Sequence, residues 1–369
     1  MKKNVNRKTI TLIVTEKCNL DCKYCYENHK TSRTMPFEVA KQIIEKNCFE
    51  VNDFDELLIE FFGGEPFLNF KLIKQVVSYL ETQKLAKPYL LFATTNGTLI
   101  HGEIKQWLIE HPQFICGLSI DGTRQMHNIN RSNSYDSIDI DFFKNQYPEQ
   151  GIKMTVSQDT LPNLCEGVLF LQEKGFKVAC NLAFGIDWSD VKNRTVLERQ
   201  LMKLIDYYLL HPNLEPCSIL ALDIKDIGVD DSQIKHRKWC GTGTHMFTFA
   251  PYGQAYPCQF FAPQSIGEKK SKLAQSLDFP RDISVDCLDK KCQDCLIEPL
   301  CPTCYGSNFA STGNIFKKDE NLCELTKIIM QARAYFRAKQ WEKGQLLSLN
   351  DNDEQLLLRA IAKIQKTFS

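Results

Sequence analysis

An α/β fold built around an open, partial barrel of six βα units is predicted by three features of this sequence. Short apolar or β-branched runs alternate with amphipathic stretches from residue 8 to about 210. The alternation repeats six times rather than eight, so a closed barrel is not expected. From Cys240 to Cys323 the pattern stops, and Cys, Gly and Pro accumulate in a stretch with little helical periodicity.

The units follow in order. Residues 8–14, KTITLIV, are mostly β-branched and apolar and read as a strand. A helix is expected over 37–48, a strand over 57–62, a helix over 70–83 and a strand over 89–95. Then come a helix at 101–110, strands at 114–120 and 152–157, a helix at 161–174, a strand at 176–184 and a helix at 191–211. Strands alternating with helices argue for a parallel sheet covered by helices, with its chemistry at the C-terminal ends of the strands. Residues 212–237, opened by HPNLEP at 211–216, read as a linker. Residues 246–258 read as a hairpin turning at Pro251-Tyr252-Gly253, and two helices are expected near 324–345 and 352–367.

Composition narrows the function. The 369 residues are 43% hydrophobic and 24% charged, an ordinary globular balance. Lys+Arg and Asp+Glu are both 45, so no net charge points to nucleic acid or to an anionic membrane. No apolar run approaches the roughly 20 residues of a membrane span. The basic start lacks a long apolar stretch and a cleavage site, so a cytoplasmic protein is expected. In that compartment 16 cysteines suggest metal ligation or buried thiols rather than a disulfide framework. Cys48, Cys116, Cys165, Cys180 and Cys217 are scattered singly, and the first four of these read as core residues.

The run Cys18-Asn-Leu-Asp-Cys22-Lys-Tyr-Cys25 directly follows the first strand. Three thiolates at this spacing can ligate three irons of a [4Fe–4S] cube and leave the fourth iron open. A structural zinc site normally wants four closed ligands, and the trio supplies three. With Tyr24 before its last cysteine, the trio resembles the signature of the radical S-adenosylmethionine (radical SAM) superfamily. Further motifs occur in that family's order. Gly63-Gly64-Glu65-Pro66 follows the second strand, Thr95-Asn96-Gly97 ends the third, and Ser119-Ile120-Asp121-Gly122 ends the fourth. The resemblance implies that Gly63, Gly64 and Glu65 meet the SAM amino group. It also implies that Tyr24, Thr95, Asn96, Ser119 and Asp121 lie near the cofactor, and that Arg131 reaches the SAM carboxylate. It implies SAM chelated to the open iron, cleaved after one-electron reduction, and a 5′-deoxyadenosyl radical that takes hydrogen from a substrate. His127 reads as a polar loop residue rather than a ligand.

The second cysteine set is Cys240, Cys258, Cys287, Cys292, Cys295, Cys301, Cys304 and Cys323. It resembles the SPASM extension of radical SAM enzymes, which holds two auxiliary [4Fe–4S] clusters. The implied fold is a partial (β/α)6 radical SAM barrel at 1–211, a linker at 212–237, a Cys-rich SPASM domain at 238–323 and C-terminal helices at 324–369. The resemblance implies one cluster on Cys292, Cys295, Cys301 and Cys323, and another on Cys240, Cys258 and Cys304. Only two residues separate Cys301 from Cys304, where that family has three. The second of these clusters either keeps an open iron or is closed by Cys217 or Cys287. Tyr252, Tyr256, Phe260 and Phe261 are expected around it. The implied cofactors are therefore SAM and three [4Fe–4S] clusters.

Proteins with this extension mostly act on peptides and proteins. One reading is a maturase that installs a crosslink, a Cys thioether in the first instance, in a ribosomally made precursor peptide. Its partners would be that peptide, a separate leader-binding protein, and an electron donor such as flavodoxin or ferredoxin. The alternatives are an anaerobic sulfatase maturase, a crosslinker forming C–C or C–O bonds, and a non-catalytic electron-transfer protein. Sulfatase maturases generally carry an Asp after the cysteine matching Cys258, where this chain has Gln259, and an amide cannot accept that proton. No catalytic base can be chosen from the sequence.

Overall fold

The computed structural model describes residues 6–49, 53–230, 236–346 and 349–368. In chain order, β1 (Arg7–Thr15) precedes α1 (Phe37–Cys48), β2 (Glu56–Gly63), α2 (Phe70–Thr82), β3 (Tyr89–Thr95), α3 (Gly102–Glu110) and β4 (Phe114–Leu118). Next come α4 (Arg124–Asn130), α5 (Ile140–Gln146), β5 (Ile152–Val156), α6 (Leu164–Glu173), β6 (Val178–Leu182), α7 (Val191–Leu210) and α8 (Ser218–Ala221). The Cys-rich region holds β7 (Met246–Phe249), β8 (Ala255–Tyr256), α9 (Pro263–Ala274), α10 (Lys290–Gln293) and α11 (Tyr305–Thr312). The helices α12 (Glu320–Glu342) and α13 (Asp351–Phe368) follow. Among the described residues, no helix is long and apolar enough to cross a membrane.

The chain forms two compact units, one of Met1–Ile120, His127–Lys153 and Cys240–Arg281, the other of Asp121–Met126, Met154–Trp239 and Asp282–Ser369. These units cut across the boundaries read from the sequence, 1–211, 212–237, 238–323 and 324–369. The reason in the first unit is strand pairing. Its sheet runs β4-β3-β2-β1-β7-β8, with β1 parallel to both β2 and β7. The hairpin expected to belong with the cysteines thus extends the barrel sheet on the far side of β1. Flanked on both sides, β1 is buried from Thr9 to Thr15. The hairpin turn itself falls where expected, with Gly253 at φ 85 and its N–H donating to the Ala250 carbonyl at 2.8 Å.

β2 alternates in burial along its length, and Leu57, Ile59 and Phe61 are fully buried on one face. α2 buries Phe70, Ile73, Val76, Val77 and Leu80 at helical spacing. Each such side chain contributes about 1.5–3 kcal/mol of transfer free energy. All of β1 to β4 run parallel, so the strand ends that carry the motifs lie along one edge of the sheet.

β5 and β6 form a separate two-stranded sheet rather than continuing the same ladder. Within the first unit a single parallel bridge, Ser119 to Lys153, follows β4. In the second unit the expected linker is part of the core. Ile224 and Ile227 pack with Met330, Leu357, Ile361 and Ile364. A Cβ on Gly228 would stand 1.9 Å from the Leu356 carbonyl oxygen, so α13 approaches this backbone directly. Residues 231–235 of the expected linker lie outside the described residues.

α7 begins at Asp190, whose carboxylate accepts the Lys192 N–H at 2.8 Å. Replacing Asp190 with Ala should cost about 1 kcal/mol and lower the melting temperature by a few degrees. A calorimetric scan with no decrease would show that this cap contributes nothing.

Candidate functional site

The first site is built where β1 ends. A Cβ on Gly63, whose φ is 142, would lie 1.9 Å from the Thr15 carbonyl oxygen. One on Gly64 would lie 2.3 Å from the Lys17 carbonyl oxygen and 2.8 Å from the Cys18 Cβ. The glycine pair therefore lets the end of β2 press onto the start of the cysteine loop. Gly64 N–H donates to Thr15 O at 3.1 Å and Glu65 N–H to Lys17 O at 2.8 Å, which ties the two segments together.

The Glu65 carboxylate is buried and accepts from Thr95 Oγ1 at 2.8 Å, Asn96 N at 2.8 Å and Phe67 N at 3.2 Å. Burial pushes its pKa up to about 7, although these donors and Arg131 pull the other way. Glu65 thus anchors the turn after β3. That turn is joined to the cysteine loop through Asn96 Nδ2 donating to Asn19 Oδ1 at 2.9 Å. Replacing Glu65 with Gln would set an amide NH2 against the Asn96 N–H. Expected are a loss of about 1–3 kcal/mol in denaturant unfolding and weaker SAM binding. An unchanged midpoint would show that the carboxylate does not hold the turn.

The loop is also held from residues 130–134. Lys23 N–H donates to Asn130 O at 3.0 Å and Asp21 N–H to Ser132 Oγ at 2.9 Å. Ser132 and Asn133 both adopt positive φ, which is uncommon away from glycine. Buried His127 bonds Ser134 Oγ at 3.0 Å and so shapes this turn. Arg131 is buried, with its guanidinium 5.4 Å from the centre of the Tyr24 ring.

One cleft is lined by Cys18, Cys22, Cys25, Tyr24, Gly63, Gly64, Glu65, Thr95, Asn96, Ser119 and Arg131. Of the residues nominated for this site from the sequence, only Asp121 is not among its lining. Asp121 is fully buried and accepts the Thr155 N–H at 2.9 Å. Lys30 and Glu27, which sequence reasoning did not single out, also line the cleft. Lys30 Nζ donates to Cys25 Sγ at 3.0 Å. Glu27 is buried and accepts from Gln264 Nε2 at 2.6 Å, and burial raises its pKa to about 7. Tyr26 stacks on Phe260 at 5.2 Å. None of these partners is adjacent in sequence, so no local pattern announces them.

The second unit has a cavity of about 680 Å3 lined by Cys292, Cys295, Cys301 and Cys323, the set expected to share one cluster. Cys304 is not among its lining and caps α11, its sulfur accepting the Ser307 N–H at 3.5 Å. Cys217 is buried beside Tyr208, Cys180 and Arg333, in the interior of the second unit. Half-buried Cys287 lies 3.5 Å from Ser284 Oγ. In the first unit Cys240 Sγ is 3.1 Å from Thr242 Oγ1, and Cys258 is buried. Tyr252 is 48% exposed, lies under Arg33 and shares a hydroxyl–hydroxyl hydrogen bond with Tyr256 at 2.8 Å. Cys48, Cys116, Cys165 and Cys180 are buried thiols, as the sequence suggested.

Each set gathers three or four cysteine thiols, the donor type that ligates iron–sulfur cubes.

Comparisons with known proteins agree. A family described as "4Fe-4S single cluster domain" matches residues 8–136. The radical SAM cyclopropyl synthase TigE of Paramaledivibacter caminithermalis is 24% identical over 89% of this chain and 76% of its own length. The solved structure of anSMEcpe with bound AdoMet superposes with TM-score 0.67 at 20% identity, covering 91% of this chain and 99% of that one. Over most of its length the chain is similar to the radical SAM enzyme TigE. Its α/β fold with a parallel sheet is similar to that of the anSMEcpe and Streptococcus suis SuiB structures. An uncharacterised protein of Methanocaldococcus jannaschii is 33% identical over 46% of this chain. The chain spans 60% of that relative's length.

Proposed function

We propose that this chain oxidises a ribosomally made peptide, forming a new bond with loss of two hydrogens. The single observation that carries this reading is the cleft that gathers the three cysteines of the trio with Glu65, Asn96, Ser119 and Arg131. Cys18, Cys22 and Cys25 would hold a [4Fe–4S] cluster and leave one iron for SAM. When bound there, cluster and SAM together supply a 5′-deoxyadenosyl radical. The chain's residues do the positioning. Arg131 presents a buried cation suited to a carboxylate, and Tyr24 beneath it keeps the guanidinium oriented. Glu65 holds the Thr95–Asn96 turn that walls the cleft. Cys292, Cys295, Cys301 and Cys323 would hold an auxiliary cluster. Cys240, Cys258 and Cys304 would hold another and make three clusters in all. These clusters would carry off the second electron.

The peptide class is supported by the anSMEcpe structure with bound AdoMet and Cp18Cys peptide, to which the fold is similar. Formylglycine formation is disfavoured because Gln259 follows Cys258 and cannot act as the base. Between a thioether and a carbon–carbon link, likeness to a cyclopropyl synthase over most of the chain favours carbon–carbon. Leader recognition by a separate protein and reduction by flavodoxin or ferredoxin complete the proposal, as does a cytoplasmic location.

The test is the mass of short peptides encoded beside this gene, co-expressed with the enzyme without oxygen. Loss of two hydrogens per link with all cysteines still alkylatable would establish a carbon–carbon or carbon–oxygen link. The same loss with cysteines blocked would establish a thioether. No change in any peptide, with SAM cleavage intact, would overturn the peptide reading.

A further inference from the structure

Each of the two complete cysteine cradles carries a lysine at its sulfurs. In the first unit Lys30 Nζ donates to Cys25 Sγ at 3.0 Å and lines the cleft with Cys18, Cys22 and Cys25. In the second unit Lys318 lines the cavity with Cys292, Cys295, Cys301 and Cys323, and only 8% of it is exposed. Lys318 sits on the loop before α12, with Cys301 as its first electrostatic neighbour, then Cys292 and Glu298. Glu298 is itself engaged by His236 Nδ1 at 2.6 Å. A lysine buried this deeply is costly unless an anion faces it. Sulfurs are the first anions beside each lysine, with Glu27 also near Lys30 and Glu298 near Lys318.

Cluster potential depends on net charge and on hydrogen bonds to the sulfurs. Reduction adds one negative charge to a cradle that already carries several. A fixed cation beside it favours the reduced form. We infer that Lys30 and Lys318 are tuning residues that raise the reduction potentials of the clusters on Cys18/Cys22/Cys25 and on Cys292/Cys295/Cys301/Cys323. The inference rests on the reading that these sets hold clusters. At the first site the effect makes the electron needed for SAM cleavage easier to accept from a donor. At the second it makes the auxiliary cluster a better acceptor for the electron left on the substrate.

The experiment is an EPR-monitored redox titration of the full-length, anaerobically reconstituted protein. Wild type is compared with Lys30→Met, Lys30→Arg, Lys318→Met and Lys318→Arg. The signal that changes on adding SAM identifies the N-terminal cluster. Each Met variant should lower the potential of its own cluster, by roughly tenfold in the reduction equilibrium or about 59 mV for one electron, and leave the others in place. Each Arg variant should restore most of the shift. If Lys318→Met instead loses about four irons that Lys318→Arg retains, the buried charge is required for the cluster to bind at all, which also supports the inference. Potentials unchanged at full iron content overturn it. So does equal loss of iron in the Met and Arg variants, since that reports packing rather than charge. The underlying cluster reading has its own control. If Cys25→Ala and Cys295→Ala both keep the full iron content of the wild type, that reading fails before any potential is compared.

Discussion

Replacing Cys18, Cys22 and Cys25 together with Ala should abolish SAM cleavage. Iron should fall by about four atoms per chain, while about eight stay on the auxiliary cubes. The fold should survive, because the three residues lie on a loop after β1 and are only partly buried. β1 itself is held by parallel ladders to β2 and β7. The measurements are 5′-deoxyadenosine formation with excess reductant, iron per chain, and the melting curve. Residual cleavage near the wild-type rate would refute the assignment of the open iron to this trio. Loss of all iron would show that the cradles do not fill independently. The same chemistry makes activity oxygen-sensitive, and activity that survives aerobic purification without reconstitution would contradict it.

Gly63→Ala should be among the most destabilising single substitutions in the first unit. Its φ of 142 is strained for any residue with a Cβ, and that Cβ would stand 1.9 Å from backbone that cannot rotate away. Strain costs about 1–3 kcal/mol and overpacking about 1–3 kcal/mol, so about 4 kcal/mol in sum. Native proteins have only about 5–15 kcal/mol to lose. The melting temperature should fall by roughly 10 °C, and the cysteine loop, joined to this backbone through Thr15 and Lys17, should lose its cluster first. Gly313→Ala is the control. Gly313 also has positive φ, 75, but nothing lies within 4 Å of its would-be Cβ, so only about 1 kcal/mol is expected. Equal effects at the two positions would show that the close contact at Gly63 is relieved at little cost.

Much of this architecture can be read locally. The helices at 37–48, 70–83 and 191–211 are long and periodic, and the structure agrees at their starts and within a residue at their ends. The short helices α4 and α5 went unread because seven residues are too few to display a period. HPNLEP reads as a linker because polar and turn-forming residues surround it. Yet Ile224 and Ile227, further along the same stretch, are buried by α12 and α13, more than 100 residues later in the chain. Arg131 could be placed only by resemblance, since a lone arginine in a loop has no local signature. Lys30 and Lys318 were not legible at all. A lysine five residues after a cysteine is usually solvated, and only folding shows that one bonds a thiol and the other is buried.

The sequence by itself determined the three-cysteine loop after the first strand and the α/β class of the fold. Cysteine spacing after the first strand selects a three-thiolate cradle, and alternating apolar runs select a parallel sheet, because both depend on neighbours within a few residues. Only the tertiary structure decided which strands flank β1, which cysteines share a cavity and which cations face their sulfurs. Those relations join residues far apart in the chain, such as Thr11 with Thr248, or Cys292 with Cys323. Pairing at that distance is settled by which surfaces can bury one another, and no local period records it.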